Sequence, residues 1–284
     1  MNTRVAAGPP QGDTTPMEGS AAHGVARVGA VDSWVYPRWI AHRGAGRLAP
    51  ENTLAAFRVG ASHGYRMFEC DVKLSADGVP FLLHDATLTR TTRGLEALGG
   101  SHASPTGGDH PWRTLSRLDA GGWHSRAFAG EPLATLDGVA HFCLHNGYFL
   151  NLEIKPTPGT ERHTGEQVAT HAARLWQGAA VPPLLTSFDP EALKGAQATQ
   201  PQLPRGLLLD TLGQGWLETA LGLGCVAVVC NHALWDTASV RQARAAGLRM
   251  LSYTVNDEWA AQRLIDLGTD GIITDRVDLF SPAG

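Results

Sequence analysis

Nine short runs of apolar, β-type residues alternate with helix-type segments, and this alternation constrains the fold more than any other feature of the chain. The runs lie near 36–43, 67–74, 79–84, 149–155, 184–188, 205–210, 225–231, 249–255 and 271–275. Helical spacing fills 53–63, 137–146, 161–177, 190–198, 213–222, 236–246 and 257–267. The first helix shows the logic: Asn52 offers an N-cap, Leu54, Phe57 and Ala61 recur on one face, and Gly64 can close the end. Strand followed by helix, repeated this often, implies a parallel sheet. Nine strands exceed the eight of a closed barrel by one. Joining 67–74 to 79–84 as a hairpin across Asp77-Gly78 removes the excess. The fold class is therefore α/β, with a (β/α)8 barrel as the leading architecture and an open doubly wound sheet as the alternative. No glycine-rich dinucleotide fingerprint follows the first strand, which weakens that alternative.

A chain of 284 residues can hold such a barrel in one unit. Residues 1–34 are rich in Gly, Ala, Pro, Ser and Thr without an apolar period, and read as a flexible leader ahead of a catalytic domain over 35–284. Residues 94–133 break the alternation; they predict an insertion with its own small packing or a lid. A formal net charge of -4 leaves no basic excess for a nucleic-acid backbone, so a phosphate substrate has to be met by local cations. No stretch approaches the roughly 18 unbroken apolar residues of a membrane span. The start of the chain lacks a secretory pattern, and a cytoplasmic location is the expectation. Cys70, Cys143, Cys225 and Cys230 show no metal-type spacing and read as buried thiols, with Cys225 and Cys230 on opposite faces if 225–230 is one strand. Nothing in the pattern fixes an oligomeric state.

The chemistry lies at strand ends. Residues two apart on a strand share a face, so Glu69 and Asp71 project one way while Phe68, Cys70 and Val72 project the other. Asn151, Glu153 and Lys155 follow the same rule, which places three carboxylates in the barrel interior. Sharing one mouth, they would repel unless a divalent cation joined them, and oxygen-only ligation favours Mg²⁺ or Ca²⁺. The bland alternative is salt bridging to Lys155 or Arg43. His42 and His84 each end a strand and can reach the same mouth, where two imidazoles serve as base and acid in one displacement.

His42-Arg43-Gly44, Pro50-Glu51-Asn52-Thr53, Glu69-Cys70-Asp71, His84-Asp85, Glu153-Ile154-Lys155 and Tyr253-Thr254-Val255-Asn256 together resemble the signature series of the glycerophosphodiester phosphodiesterase family, in the family's order, from about residue 37 to the end. The resemblance implies a TIM barrel with a small insertion after the second strand unit. It implies that Glu69, Asp71 and Glu153 bind a divalent metal ion, Mg²⁺ or Ca²⁺. It also implies that His42 and His84 exchange protons and that Arg43 and Lys155 contact the phosphate. Tyr253 stands where the family often has tryptophan, which keeps an aromatic platform for the glycerol moiety. The implied reaction is metal-dependent hydrolysis of a small-molecule glycerophosphodiester to an alcohol and sn-glycerol 3-phosphate, with water or the substrate's glycerol hydroxyl as attacker.

Competing readings keep the barrel. One changes the substrate to a lysophospholipid or another phosphodiester; another makes the protein a non-catalytic phosphate-ligand binding barrel. Asp137, His141 and His145 recur every four residues, but a coincidence on a wet helical face explains them better than a metal site. Glu51 has an adequate explanation in the helix dipole and its role stays open. Thr274-Asp275, ending the last strand, reads as a turn.

Overall fold

The computed structural model describes residues 1–3, 34–98 and 104–282. The leader expected over 1–34 falls outside them, apart from its first three residues and Trp34. Among the described residues, nine strands are present. They are β1 (Trp39–Ala41), β2 (Met67–Leu74), β3 (Pro80–Leu82), β4 (Phe149–Ile154), β5 (Leu184–Ser187), β6 (Arg205–Leu209), β7 (Ala227–Asn231), β8 (Arg249–Tyr253) and β9 (Gly271–Thr274). Eight of them close a parallel barrel in the order β1-β2-β4-β5-β6-β7-β8-β9, with β9 returning to β1. β3 pairs antiparallel with the end of β2, Val72 opposite Leu82, as the hairpin across Asp77-Gly78 predicts. The architecture is a (β/α)8 TIM barrel.

The helices are α1 (Leu54–Ser62), α2 (Trp112–Leu115), α3 (Leu136–Asn146), α4 (Glu161–Leu175), α5 (Pro190–Thr199), α6 (Trp216–Gly222), α7 (Thr237–Ala245) and α8 (Glu258–Leu267). Their starts follow local chemistry. Asp189, Asp236 and Asp257 cap α5, α7 and α8 with side-chain oxygens that accept backbone N–H groups. One expectation fails here. The cap of α1 is Thr53, whose hydroxyl accepts from Ala56 N; Asn52 is held one residue earlier at φ 60 for another purpose.

The period of two separates the strand faces. Phe68, Cys70, Val72, Leu150, Leu152 and Ile154 pack outward among residues of α1, α3 and α4. Ile40, Met67, Leu184, Leu208, Val229, Leu251 and Ile273 form the apolar interior plug. One step further along the same inward faces come His42, Glu69, Asp71, Glu153, Tyr253 and Asp275. The barrel is thus apolar at the strand starts and polar at their carboxyl ends, where barrel enzymes carry their sites.

Between β3 and α3 the chain builds a small apolar cluster of its own from Leu83, Leu88, Leu115, Leu118, Ala120 and Leu133, seated on Phe81. It is anchored to the barrel by Glu131, whose carboxylate accepts from Ala55 N in α1. His124, in this segment, binds the carbonyl of Arg47. All four cysteines are free and buried. Cys225 precedes β7 and packs in the same apolar cluster as Cys230, so the opposite-face argument does not apply to that pair.

Candidate active site

Strand register brings the polar groups together. Asp71 on β2 pairs with Glu153 on β4, and Glu69 stands two residues earlier on the same inward face. One oxygen from each of Glu69, Asp71 and Glu153 lies within 4.8 Å of the others, and all three residues are buried. On the other side, Ala41 pairs with both Phe68 and Thr274. His42, the next residue, therefore lies between Glu69 and Asp275.

His42 Nδ1 is 2.6 Å from Asp275 Oδ1, and its Nε2 is 3.8 Å from Glu69 Oε2. The turn expected at Thr274-Asp275 is present, with Arg276 N donating to Thr274 Oγ1 at 2.9 Å, and Asp275 is in addition a partner of the imidazole. Burial pushes the Asp275 carboxyl up, but the hydrogen bond and charge of His42 and the Asn256 amide, 2.9 Å away, hold it at about 2. It stays ionised and keeps the His42 Nδ1 proton in place, which leaves Nε2 facing the mouth.

Arg43 has φ 50, and that turn lets it serve the site twice. Its backbone N–H donates to Glu69 Oε2 at 2.9 Å, while its guanidinium reaches Glu51 Oε1 at 2.8 Å and Asp71 Oδ2 at 3.3 Å. Asn52, also left-handed, clamps Asp71: its amide donates to Oδ2 at 2.8 Å and its carbonyl oxygen accepts from Asp71 N at 3.0 Å. Lys155 Nζ is 2.8 Å from Glu153 Oε1 and 3.8 Å from Asp71 Oδ1. Lys155 also lies 5.5 Å over the ring of Phe188, whose other neighbour is Tyr253 at 5.6 Å. The Tyr253 hydroxyl itself donates to the carbonyl of Leu209.

His84 enters through its neighbours. Its Nδ1 is 2.8 Å from Asp85 Oδ1, Asp85 is held by Arg90, and Arg90 continues to Glu51 and so to Arg43. The Arg90 hydrogen bonds, ahead of that from His84, keep the Asp85 carboxyl far below the ordinary range. Burial, with help from Arg43 and Lys155, lowers the His84 pKa below that of a free imidazole against the pull of Asp71 and Asp85.

The three carboxylates are under-compensated. Burial, then Asp71 and Glu153, push Glu69 well above the usual carboxylate range. Burial and Asp71 raise Glu153 to about 7, and Lys155 offsets only part of this. Burial acts upward on Asp71 too, yet Arg43, Lys155, His84 and Asn52 bring it below its ordinary value. No hydrogen-bond donor among the described residues reaches Glu69 Oε1 or Asp71 Oδ1, although both atoms are buried. Two orphaned carboxylate oxygens beside a third, with no sulfur or imidazole in the set, fit a hard divalent cation.

The eight residues singled out from sequence (His42, Arg43, Glu69, Asp71, His84, Glu153, Lys155 and Tyr253) thus share one mouth. Sequence reasoning missed Asp275, Arg90 and Phe188, and it left Glu51 and Asn52 to the helix start. The one available signal was for Asp275: in a closed barrel the last strand neighbours the first, so the residue after each strand shares an edge. Of the decoys, Asp137 pairs with His171 and Arg174, and no cation-binding cluster includes His141 or His145 among the described residues.

Comparison with known proteins points the same way. A family described as the glycerophosphoryl diester phosphodiesterase family matches residues 42–279. A glycerophosphodiester phosphodiesterase of Caldanaerobacter subterraneus subsp. tengcongensis is 30% identical over 243 residues, 83% of this chain and 93% of its own. One of Bacillus subtilis is 28% identical over 255 residues, 85% and 84% of the two chains. Among solved structures, an Oleispira antarctica phosphodiesterase in complex with the product sn-glycerol-3-phosphate superimposes with a TM-score of 0.77 at 31% identity, covering 87% of this chain and 97% of its own.

Proposed function

The chain belongs to the glycerophosphoryl diester phosphodiesterase family, and from that premise we propose that it hydrolyses glycerophosphodiesters to an alcohol and sn-glycerol 3-phosphate by metal-assisted acid-base catalysis at the barrel mouth. The observation that carries the reading is the convergence of Glu69, Asp71 and Glu153 within 4.8 Å, flanked by His42, Arg43 and Lys155. The relative from Oleispira antarctica, which binds the glycerol phosphate product, supports the substrate class.

Glu69, Asp71 and Glu153 would hold a divalent ion, Mg²⁺ or Ca²⁺. Bound there, it supplies charge neutralisation as the phosphoryl oxygens become more negative. Arg43 and Lys155 bring two further cations to the same oxygens and keep the diester from the carboxylates. Asp275 and Asp85 each fix one imidazole by its Nδ1, so that the Nε2 atoms of His42 and His84 are the ones available to the substrate. One takes the proton of the attacking hydroxyl and the other gives a proton to the leaving alcohol. Tyr253 and Phe188 wall the side of the mouth next to Lys155, where the carbon skeleton of the substrate lies against them.

The test is an assay of glycerol 3-phosphate release from a panel of glycerophosphodiesters, with Mg²⁺, with Ca²⁺ and after exhaustive chelation. Release that depends on one of the ions is the expected result. No release from any diester with either ion would sink the reading, and undiminished release after chelation would remove the metal from it. Among the described residues no helix is long and apolar enough to cross a membrane. The proposed location is the cytoplasm, on the sequence pattern alone.

A further inference from the structure

The geometry points to Arg90 as a positioning residue that locks the His84 loop to the Arg43 loop across the barrel mouth, so that the imidazole and the phosphate-binding guanidinium keep one relative placement. The inference rests on the phosphodiesterase reading and goes beyond it, because Arg90 belongs to none of the groups that reading uses.

Arg90 makes four hydrogen bonds to two carboxylates. Its Nε and Nη2 donate to Asp85 Oδ2 and Oδ1 at 2.7 and 2.9 Å, and its Nη1 and Nη2 donate to Glu51 Oε2 and Oε1 at 2.8 Å each. A guanidinium has five N–H donors, so one remains. That near-saturation argues against Arg90 as a phosphate ligand. Each clamped carboxylate in turn holds one active-site group: Asp85 Oδ1 accepts from His84 Nδ1, and Glu51 Oε1 accepts from Arg43 Nη1. Without Arg90, Glu51 keeps only its bond from Arg43 and Asp85 only its bond from His84.

The backbone explains why such a clamp is needed. Arg43 and Glu51 sit on the loop after β1, and His84, Asp85 and Arg90 on the loop after β3. β1 meets β2 through one register pair, Ala41 with Phe68, and β3 reaches β2 on an antiparallel edge of three pairs. The ladder between these two loops is therefore short, and side chains have to set their separation. Bidentate pairing on both sides demands a planar fork, which a lysine ammonium cannot reproduce at the same charge. Arg90 is also partly exposed, so its truncation leaves no buried cavity behind.

The experiment compares wild type, R90A and R90K for glycerol 3-phosphate release at saturating divalent ion, with circular dichroism and thermal unfolding of each. The inference expects kcat in R90A to fall by roughly tenfold or more with KM within about threefold of wild type, and R90K to stay close to R90A despite its charge. It is overturned by kcat in R90A above about a tenth of wild type, by a loss carried in KM, which would make Arg90 a substrate ligand, or by recovery in R90K, which would make charge alone sufficient. Wild type without activity on any diester is the separate failure of the functional reading. In that event a double-mutant cycle of R90A with E51Q on thermal unfolding still decides the clamp: additive effects overturn it, and coupling supports it.

Discussion

Asp275 Oδ1 lies 2.6 Å from His42 Nδ1 although 233 positions separate them in the chain. The contact exists because the barrel closes: β9 pairs with β1 in register, Thr274 opposite Ala41, and the residue after each strand projects at the same rim. An ionised carboxylate on Nδ1 fixes the tautomer and turns Nε2 to the mouth, and in the proposed mechanism it would stabilise an imidazolium at His42.

Replacing Asp275 by Ala removes that support while leaving His42 in place. The expected outcome is a fall in kcat of about 10²-fold, within the range of a single proton-transfer group, with KM little changed. Steady-state kinetics of D275A against H42A measures it; D275A turning over at the wild-type rate would remove Asp275 from the mechanism.

The backbone beneath Asp275 carries its own prediction. Gly46 has φ 55, and a Cβ there would stand 2.2 Å from the Asp275 carbonyl oxygen and 2.3 Å from its Cα. Any side chain at 46 therefore forces either the Gly46 loop or the backbone at Asp275 to shift, which disturbs the Asp275 support of His42. G46A is expected to lose at least about 2 kcal/mol of stability, part from the left-handed φ and the rest from overpacking, together with activity. Denaturant unfolding reads the first and kcat the second. Wild-type stability in G46A would show that the loop yields freely.

Much of this was legible beforehand. All nine strands lie inside the apolar runs, and the inward set of Glu69, Asp71 and Glu153 follows from the period of two alone. What escaped was contact between loops. Asp275 reads as a turn because its partner is at the far end of the chain. Asn52 and Glu51 read as helix-start residues because Pro50-Glu51-Asn52-Thr53 precedes a helix, yet Thr53 alone makes the cap. Arg90 carries no pattern at all: a surface arginine among threonines declares its role only when two carboxylates from different loops meet on it.

The carboxylate cluster makes stability depend on pH in a definite direction. Burial and Asp71 raise Glu153 from 4.5 to about 7, so the folded state binds its proton more tightly than the unfolded chain does. Its contribution is fully present below about pH 4.5 and lost as pH rises through about 7. In chelator, E153Q should therefore match wild type near pH 5 and exceed it at pH 8, by at most about 3 kcal/mol for a shift of this size. If the proposed metal site is right, saturating Mg²⁺ or Ca²⁺ should reverse the order at pH 8, since only wild type keeps three ionised carboxylates to hold the ion. Thermal unfolding at both pH values, with and without ion, checks the pattern; E153Q weaker than wild type throughout would contradict it.

Asn52 offers the sharpest test of how the cluster is held. It is buried, left-handed at φ 60, and gives both ends of its amide to one residue, donating to Asp71 Oδ2 and accepting from Asp71 N. Asn tolerates that backbone because it is among the few non-glycine residues that do. N52G keeps the conformation and deletes both hydrogen bonds, which should cost about 1–3 kcal/mol of stability and loosen Asp71. N52D keeps the shape but sets a carboxylate against Asp71 Oδ2, adding like-charge repulsion to a site already short of compensation. Calorimetric titration with Mg²⁺ or Ca²⁺ should therefore show weaker binding in N52G, by about 10–100-fold as for other residues that orient a metal ligand. If N52D instead takes part in ligation and binds the ion more tightly than wild type, the amide's task is to limit negative charge at Asp71 and not to orient it.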